Sequence, residues 1–328
     1  MISIIICHRK RDLLEGIKVS IEKTIGVPYQ LIVIDNTTNK YTILSAYNEG
    51  VRRAIYDIVC FTHEDVLFYS SDWGKNVIQH FKDPGIGMIG VAGGMAQSSV
   101  PSAWWYNNYF SHSARNLLMR KTTGNSYQLY HHYSNPLNSE GKVEVVIIDG
   151  LWFCIRKSLF EKISFDEKTY KGFHLYDADI SLQVKQHAKN YVVFDILLEH
   201  LWSGTISGDY YTEVIKFVNK WAEKLPIVSD HVDPKYLDKY NWHALRSVIL
   251  EMKASKIKEH VIEEVLSSYL PIVKENYNHK WFNSYFSLAQ IIGYPSANRI
   301  YYRLEKLFGI HNAESRTVTK YGEKRSAS

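Results

Sequence analysis

The first 95 residues alternate between short apolar runs and longer segments of helical periodicity, and this alternation constrains the fold more than any other feature. Four short runs are mainly apolar and rich in β-branched residues: 3–7, 29–34, 58–62 and 86–91. Three intervening segments place apolar residues at helical spacing: 12–25, 43–54 and 73–81. Because the short runs are typical of strands buried on both faces, the order predicts an α/β fold whose parallel sheet carries helices on both faces.

The segment 96–142 interrupts this pattern. It is rich in Ser, Asn, Tyr, Trp and His, and a stretch of this length without periodicity inside a compact domain is usually functional or mobile. We therefore expect an aromatic-rich loop or lid there. Regular pattern then returns, with strands predicted at 143–148, 150–155, 191–194 and 196–202 and helices at 157–162 and from about Asp177.

Beyond Ser207 the chain has helical segments and no plausible strand. The predicted helices are 213–223, 242–254, 257–270, 281–292 and 297–308. We therefore expect a sheet domain at 1–205, a helical appendage at 206–311 and a disordered polar tail at 312–328.

Composition narrows the classes of partner and compartment. The 39 basic and 34 acidic residues give a net charge of +5 without a dense basic stripe, so we expect no nucleic acid partner but an anionic small ligand or a peripheral membrane contact. No segment approaches the roughly 20 apolar residues of a membrane span, and the N-terminal apolar run precedes its charges, the reverse of a signal peptide. The three cysteines form no CxxC pair, so we expect free thiols and a cytoplasmic protein.

Polar residues follow several predicted strands directly, at the sheet edge where such folds bind ligands. Asp35 ends the second strand, where its side chain either contacts a ligand or forms an Asx turn that closes the strand. The residues 63–65 (His-Glu-Asp) end the third, where carboxylate oxygens ligate Mg²⁺ or Mn²⁺ or merely cap a turn. Asp177 and Asp179 point about 200° apart on a helix, so either one caps the helix while the other faces the crevice as a base, or both merely cap the helix. His200 follows another apolar run, where an imidazole is more often structural than a metal ligand.

One glycine motif is misleading. Residues 85–90 (GIGMIG) match the dinucleotide fingerprint by letter, but that fingerprint must follow a strand and open a helix. Here the glycines follow Lys82-Asp83-Pro84 and lead into a strand, so we expect neither a nicotinamide nor a flavin cofactor.

In combination, the motifs resemble the family-2-like glycosyltransferases of bacteria, most closely the subgroup for capsule and surface-polysaccharide assembly. The matching segments occur in consistent order over residues 1–205: ISIIIC, LIVIDNT, AYNEGVRRA, THEDV, IDGLWFCIRKSLFE, FDE, GFHLYDADISLQ and EHLWSG. The resemblance implies a GT-A fold with a mostly parallel, Rossmann-like sheet. It also implies metal-dependent, inverting transfer of a sugar from a nucleotide-diphosphate sugar, with a UDP-sugar favoured, to a glycan or lipid-linked acceptor.

The resemblance also implies roles for individual residues. Asp177 would be the catalytic base, and Asp65 and His200 would hold Mn²⁺ or Mg²⁺. The implied nucleotide contacts are Cys7, His8, Arg9, Asp35, Asn36 and Glu64, and the implied donor- or acceptor-sugar contacts are His63, Asp149, Gly150, Trp152, His174 and Tyr176. Two of these positions depart from the family pattern, because His63 stands at the first Asp of Asp-x-Asp and Tyr176 replaces a Glu.

Several alternatives stay open. The two departures also suit a catalytically inactive, sugar-nucleotide-binding partner within a glycosyltransferase complex. A second alternative is a nucleotidyltransferase that makes activated sugars. Such an enzyme should carry a Gly-rich loop after the first strand, but the segment CHRKRD at that position has no glycine, which argues against this alternative. Three roles are open for residues 104–106 (Trp-Trp-Tyr): stacking on a sugar, closing over the donor as a lid, or packing between the sheet and the appendage. The appendage shapes the acceptor site, forms a homodimer or touches the inner face of the membrane.

Overall fold

The computed structural model describes residues 1–123, 126–201, 208–276, 280–307 and 317–326. Some of the predicted features lie outside these ranges: Trp202 at the end of a predicted strand, the last letters of EHLWSG, Phe308 at the end of a predicted helix, and residues 312–316 and 327–328 of the predicted tail. In the first 200 residues the elements are β1 (Ile2–His8), α1 (Arg11–Thr24), β2 (Tyr29–Asp35), α2 (Ile43–Arg53), β3 (Ile58–Thr62), β4 (Val66–Phe68), α3 (Trp73–His80), β5 (Ile86–Gly90), β6 (Ala92–Gly94), β7 (Ala96–Gln97), a 3-10 helix (Trp104–Phe110), β8 (Ser113–Thr123), β9 (Ser126–Ser134), β10 (Lys142–Val145), β11 (Ile147–Ile148), β12 (Trp152–Arg156), a 3-10 helix (Lys157–Glu161), α4 (Tyr176–Lys185), β13 (Lys189–Val193) and β14 (Leu198–His200).

The main sheet has seven strands in the order β10-β13-β5-β12-β3-β1-β2. Strand β1 pairs in parallel with β2 and β3, and β13 pairs in parallel with β5. Strand β12 runs antiparallel between β3 and β5, and β10 is an antiparallel edge strand. The predicted α/β fold with a mostly parallel sheet is therefore confirmed, although β12 separates two strands that the sequence order placed side by side.

Alternation along the strands supplies two apolar cores, one on each face of the sheet. Ile2, Ile4 and Ile6 of β1 pack in one core with residues of α1 and α3, whereas Ile5 packs in the other with residues of α2 and α4. All four isoleucines are fully buried. Because successive side chains of a strand point to opposite faces, a strand covered on both sides is apolar at most positions; the buried Ser3 of β1 donates a 2.8 Å hydrogen bond to Gln30 Oε1.

A second sheet covers the segment that we expected to lack regular structure. Its order is β11-β6-β8-β14-β4, and β9 forms an antiparallel hairpin with β8. The expected loop over 96–142 is thus wrong in its centre. Tyr suits half-buried strand positions, but the mixture of Tyr with His, Ser and Gln in β9 lacks the two-residue apolar alternation by which a strand is recognised in a sequence.

The C-terminal region is helical, as predicted. Its elements are α5 (Gly208–Trp221), β15 (Ile227–Val228), a 3-10 helix (Pro234–Tyr236), α6 (Leu237–Ala254), α7 (Glu259–Asn276), α8 (Lys280–Ile292), α9 (Tyr294–Leu307) and β16 (Thr317–Ser326). Two strands correct the expectation of none, because β15 pairs with β7 and β16 pairs with β9. Strand β16 also replaces part of the expected disordered tail; backbone pairing to an open hairpin edge does not require an apolar sequence.

Two further expectations concern membrane spans and cysteines. Within the described ranges, every helix is too short or too polar to cross a bilayer. Cys7, Cys60 and Cys154 are all free thiols, as predicted.

Candidate active site

The carboxyl ends of three neighbouring strands lie level with one another. His8 at the end of β1 pairs with Asp35 at the end of β2, and Ile6 of β1 pairs with Thr62 of β3. Strand β14 of the second sheet also ends here, because the N–H of Leu201 donates to the carbonyl oxygen of Asp65 at 2.9 Å. The loops after these strands border two cavities.

The larger cavity has a volume of about 350 Å³ and is lined by four of the six predicted nucleotide contacts: Cys7, Arg9, Asn36 and Glu64. The Glu64 carboxylate accepts hydrogen bonds from the backbone N–H groups of Arg9 and Lys10, each at 3.0 Å. Burial raises the pKa of the Cys7 thiol to about 11, so this thiol is neutral at physiological pH. The cavity is therefore lined by the neutral thiol of Cys7 and by the basic side chains of Arg9 and Lys10, which follow β1.

The other two predicted nucleotide contacts, His8 and Asp35, do not line this cavity. The Asp35 carboxylate is exposed and accepts hydrogen bonds from Thr37 N at 2.9 Å and Thr37 Oγ1 at 2.7 Å. These bonds lower the pKa of Asp35 and form the Asx turn that was one of the two alternatives. His8 is buried, with its Nε2 3.7 Å from Asp35 Oδ1.

His63, Asp65 and His200 form a cluster in which one ligand atom of each lies within 4.8 Å of the others. Asp65 Oδ1 is 3.9 Å from His63 Nδ1, and Asp65 Oδ2 is 3.4 Å from His200 Nε2. Although it is close to that carboxylate, His200 Nε2 is buried and lacks a hydrogen-bond partner of acceptable geometry. Donor atoms that share one cation are separated by about 3 to 4 Å, so the three residues fit a divalent cation.

The ionisation states of this cluster depend on one another. Burial, and then the neighbouring His200, lowers the pKa of His63 to about 4. Burial by itself would lower the pKa of His200 and raise that of Asp65, but the attraction between the two outweighs it in both cases, so the pKa of His200 is raised and that of Asp65 is lowered. At neutral pH Asp65 is therefore ionised and His63 is neutral, which are the forms that bind metal ions.

The smaller cavity has a volume of about 200 Å³, and Asp177 at the start of α4 lines it. Its two carboxylate oxygens accept hydrogen bonds from Gly150 N and Ala178 N, each at 2.9 Å. Burial, and then the negative charge of Asp149, raises the pKa of Asp177 to about 7. This carboxylate can therefore both accept and release a proton near neutral pH.

Asp149 and Gly150 of the neighbouring loop and Tyr176 of α4 surround Asp177 and line the same cavity. Asp149 accepts a hydrogen bond from Trp104 Nε1 at 2.9 Å. A side chain at Gly150 would overlap the Tyr176 hydroxyl and approach Asp177 Cβ to 3.1 Å. Only a glycine therefore allows the backbone at this position to lie so close to both residues.

Trp152 is a predicted sugar contact that the structure does not place at the site. It is fully buried and packs edge-to-face against Phe68 and Trp73 in the core below the sheet. As the first residue of β12 it points to the opposite face from its neighbour Phe153. His174, in contrast, lines the smaller cavity and meets Tyr210 of α5 edge-to-face, with ring centroids 5.3 Å apart.

The aromatic run at 104–106 divides between two roles. Trp104 and Trp105 line the smaller cavity, and Trp105 stacks on Tyr210 with ring centroids 6.0 Å apart. Tyr106 is buried and donates a 2.6 Å hydrogen bond to Glu251 of α6. Two of the three residues therefore face a ligand space, and the third packs against the appendage.

Sequence reasoning missed Phe173, which lines both cavities. Its side chain is 50% exposed, and its ring centroid lies 5.5 Å from that of His63 and 5.9 Å from that of Tyr176. Leu175, two residues later, has a φ of 62°, which is a strained conformation for a bulky residue. The cluster of aromatic residues in the segment before Asp177 was the available signal.

Comparisons with known proteins found a family profile and a curated relative that match this chain. Residues 3–221 match the profile of a family described as "Glycosyltransferase like family". The chain is 26% identical over 163 residues to the streptomycin biosynthesis protein StrF of Streptomyces griseus, covering 48% of this chain and 52% of the relative. It thus spans about half the length of that curated relative.

Two solved structures resemble the chain at low identity. One is the mannosyltransferase PcManGT from Pyrobaculum calidifontis in complex with GDP-Man and Mn²⁺, with a TM-score of 0.45 and 12% identity over 91% of this chain and 86% of that chain. The other is GalNAc-T7 with UDP, GalNAc and Mn²⁺, with a TM-score of 0.47 and 12% identity over 89% of this chain and 58% of that chain.

Proposed function

Since the chain belongs to the glycosyltransferase like family, we propose that it transfers a sugar from a nucleotide-diphosphate sugar to an acceptor hydroxyl, with inversion at the anomeric carbon. One observation carries the proposal: Asp177, a partly buried carboxylate with a pKa of about 7, lines a cavity that shares His63 and Phe173 with the larger cavity. A base and a candidate cation site at the junction of two cavities are the parts that such a transfer needs.

The larger cavity would hold the nucleotide diphosphate, and a UDP-sugar is the donor that we favour. Cys7 and Asn36 lie at the ends of β1 and β2, next to Asp35, and would face the nucleoside. Arg9 and Lys10 would attract the phosphates. Asp65 and His200, together with His63, would hold Mn²⁺ or Mg²⁺. A divalent cation, when bound, supplies positive charge that stabilises the departing nucleoside diphosphate.

The smaller cavity would hold the acceptor, a glycan or a lipid-linked glycan. Asp177 would take the proton of the acceptor hydroxyl while the N–H groups of Gly150 and Ala178 hold its carboxylate in place. The aromatic walls, Trp105 and Tyr210, suit the apolar faces of a sugar ring. Since Tyr210 belongs to α5, the first helix after the 1–205 region would help to shape the acceptor site.

We extend the proposal to the biological setting. Surface-polysaccharide assembly in bacteria is the role implied by the sequence resemblance, and a cytoplasmic protein at the inner face of the membrane would meet lipid-linked acceptors there. The net charge of +5 would favour contact with an anionic bilayer. Homodimer formation through the 206–311 region is a further part of this proposal.

The test measures binding, hydrolysis and transfer for UDP-, GDP-, CMP- and dTDP-sugars with Mn²⁺, with Mg²⁺ and with a chelator. We expect cation-dependent turnover of one donor, and we expect Asp177→Asn to keep donor binding while its turnover falls about 10²- to 10⁴-fold. The exposed carboxylate variant Asp83→Asn is the matched control. Binding of a donor by the wild-type protein without turnover on any acceptor would favour the inactive-partner alternative, and absence of binding with every donor would refute the proposal.

A further inference from the structure

The two positions at which the chain departs from the family pattern contact each other directly. His63 Nε2 lies 2.6 Å from the Tyr176 hydroxyl oxygen, although 113 residues separate the two in the chain. The same hydroxyl lies 3.0 Å from the carbonyl oxygen of Gly150. Tyr176 is only 3% exposed, so water cannot readily replace either contact. The two departures therefore form one structural unit.

The hydrogen bonds of this unit determine the tautomer of His63. A phenol has one proton, and a carbonyl oxygen can only accept. If Tyr176 donates to Gly150, both contacts are satisfied only when His63 Nε2 carries a proton and donates it to the phenol oxygen. The other ring nitrogen, Nδ1, is then an acceptor with a free lone pair.

That lone pair lies beside a carboxylate. His63 Nδ1 is 3.9 Å from Asp65 Oδ1, and an acceptor nitrogen next to a carboxylate oxygen repels it. On the other side of Asp65, His200 Nε2 is buried and lacks a hydrogen-bond partner of acceptable geometry. A cation held by all three groups would satisfy both imidazoles and the carboxylate together.

We propose that Tyr176 fixes His63 as the third protein ligand of the cation site, through Nδ1, and that the resulting His-Asp-His set favours Mn²⁺, Co²⁺ or Zn²⁺ over Mg²⁺. Mg²⁺ takes oxygen ligands almost exclusively, whereas the other ions accept imidazole nitrogen. Tyr176 is a positioning residue here, because it acts through His63. The inference rests on the proposed function for what the cation would serve, but not for the cation site itself.

The experiment needs neither donor nor acceptor. The full-length protein, freed of metal with a chelator, is titrated with Mn²⁺, Co²⁺ and Mg²⁺ by calorimetry. We expect at least a 10-fold preference for Mn²⁺ over Mg²⁺, and a loss of Mn²⁺ affinity in Tyr176→Phe of about 10- to 100-fold, the usual effect of removing an outer hydrogen-bond partner of a ligand. His63→Asp should reduce the preference for Mn²⁺ over Mg²⁺. Tyr191 lies outside both cavities, so Tyr191→Phe should leave this preference unchanged.

A spectroscopic measurement avoids dependence on the folding of a variant. Pulsed electron paramagnetic resonance of the Mn²⁺-loaded wild-type protein should detect two coordinated imidazole nitrogens. A single coordinated nitrogen, or equal affinities for Mn²⁺ and Mg²⁺, would overturn the inference. If Tyr176→Phe binds Mn²⁺ like the wild-type protein, the positioning role of Tyr176 is refuted.

Failure of the inference can be told apart from failure of the proposed function. Selective Mn²⁺ binding through two imidazoles in a protein that binds no sugar nucleotide would support the inference and refute the proposed function. Sugar transfer that proceeds equally with Mg²⁺ and Mn²⁺, and that persists in His63→Ala, would do the reverse.

Discussion

Gly150 N donates a 2.9 Å hydrogen bond to Asp177 Oδ2, so the loop before β12 holds the carboxylate at the start of α4. The two residues are 27 positions apart and come from different structural elements. A partly buried carboxylate that accepts backbone N–H groups keeps a fixed orientation without a neighbouring cation.

Gly150→Ala should displace both Asp177 and Tyr176. The new methyl group would overlap the Tyr176 hydroxyl, so we expect about 1–3 kcal/mol loss in the free energy of unfolding and a fall in donor turnover. Chemical denaturation and initial rates measure the two effects. Gly16→Ala is the matched control because nothing lies within 4 Å of its new methyl group, and in a helix it should be neutral or stabilising by up to about 1 kcal/mol. Equal behaviour of the two variants would contradict the packing described for Gly150.

The rate of transfer should rise with pH through about 7. Asp177 has a pKa raised from 3.8 to about 7, chiefly by burial, so it becomes a base only as pH passes that value. The pH profile of kcat/KM reports this ionisation in the free enzyme. A profile that is flat between pH 5.5 and 8.5 would argue against Asp177 as the base.

The same pKa shift predicts how stability depends on pH. Because the folded state holds the Asp177 proton more tightly than the unfolded state, this group makes the wild-type protein less stable as pH rises from about 4 to about 7. Asn does not titrate, so the stability of Asp177→Asn relative to the wild-type protein should increase over that range. Denaturation at pH 4.5 and pH 8 tests this, with Asp83→Asn as the control. A difference that is the same at both pH values would contradict the shift.

Phe173→Ala should join the two cavities more widely. The ring lines both of them and is half exposed, so we expect severalfold more donor hydrolysis relative to transfer with little change in stability. Ile55→Ala, an exposed apolar residue outside both cavities, is the control. Product analysis by chromatography measures the ratio, and an unchanged ratio would show that Phe173 does not restrict water.

Asp179→Ala should destabilise the protein strongly although it lies outside both cavities. Asp179 is buried, accepts a 2.9 Å hydrogen bond from Trp221 Nε1 and lies 2.7 Å from Lys220 Nζ, both on α5. Lys220 is 28% exposed and keeps Asp166 as a partner at 2.8 Å, but the buried Trp221 N–H loses its acceptor, which costs about 1–3 kcal/mol. Thermal and chemical denaturation measure the effect against the exposed control Asp83→Ala. A loss below about 1 kcal/mol would be typical of a surface pair instead.

The two acids at the start of α4 illustrate how far the sequence could be read. Their spacing predicted opposite directions, and the structure agrees, because Asp177 lines a cavity and Asp179 meets α5. Asp177 does both jobs that the spacing divided between the two acids, because it lines the cavity and accepts a hydrogen bond from the N–H of Ala178 in the first turn of α4. The N-cap position itself is Leu175, without a side-chain hydrogen bond. The contact with Trp221 depends on where α5 packs, which no local pattern records.

Local pattern by itself determined the α/β order, most helix boundaries, the strand-end positions of Asp65 and His200 and the helix-start position of Asp177. Apolar periodicity and strand-end polarity are properties of short segments, so they can be recognised in the sequence without knowledge of the fold. The tertiary structure alone decided that β12 inserts between β3 and β5, that polar segments form β9 and β16, and that Trp152 faces the core. It alone also brought His63 and Tyr176 into contact, because such contacts depend on which distant segments pair and in what register.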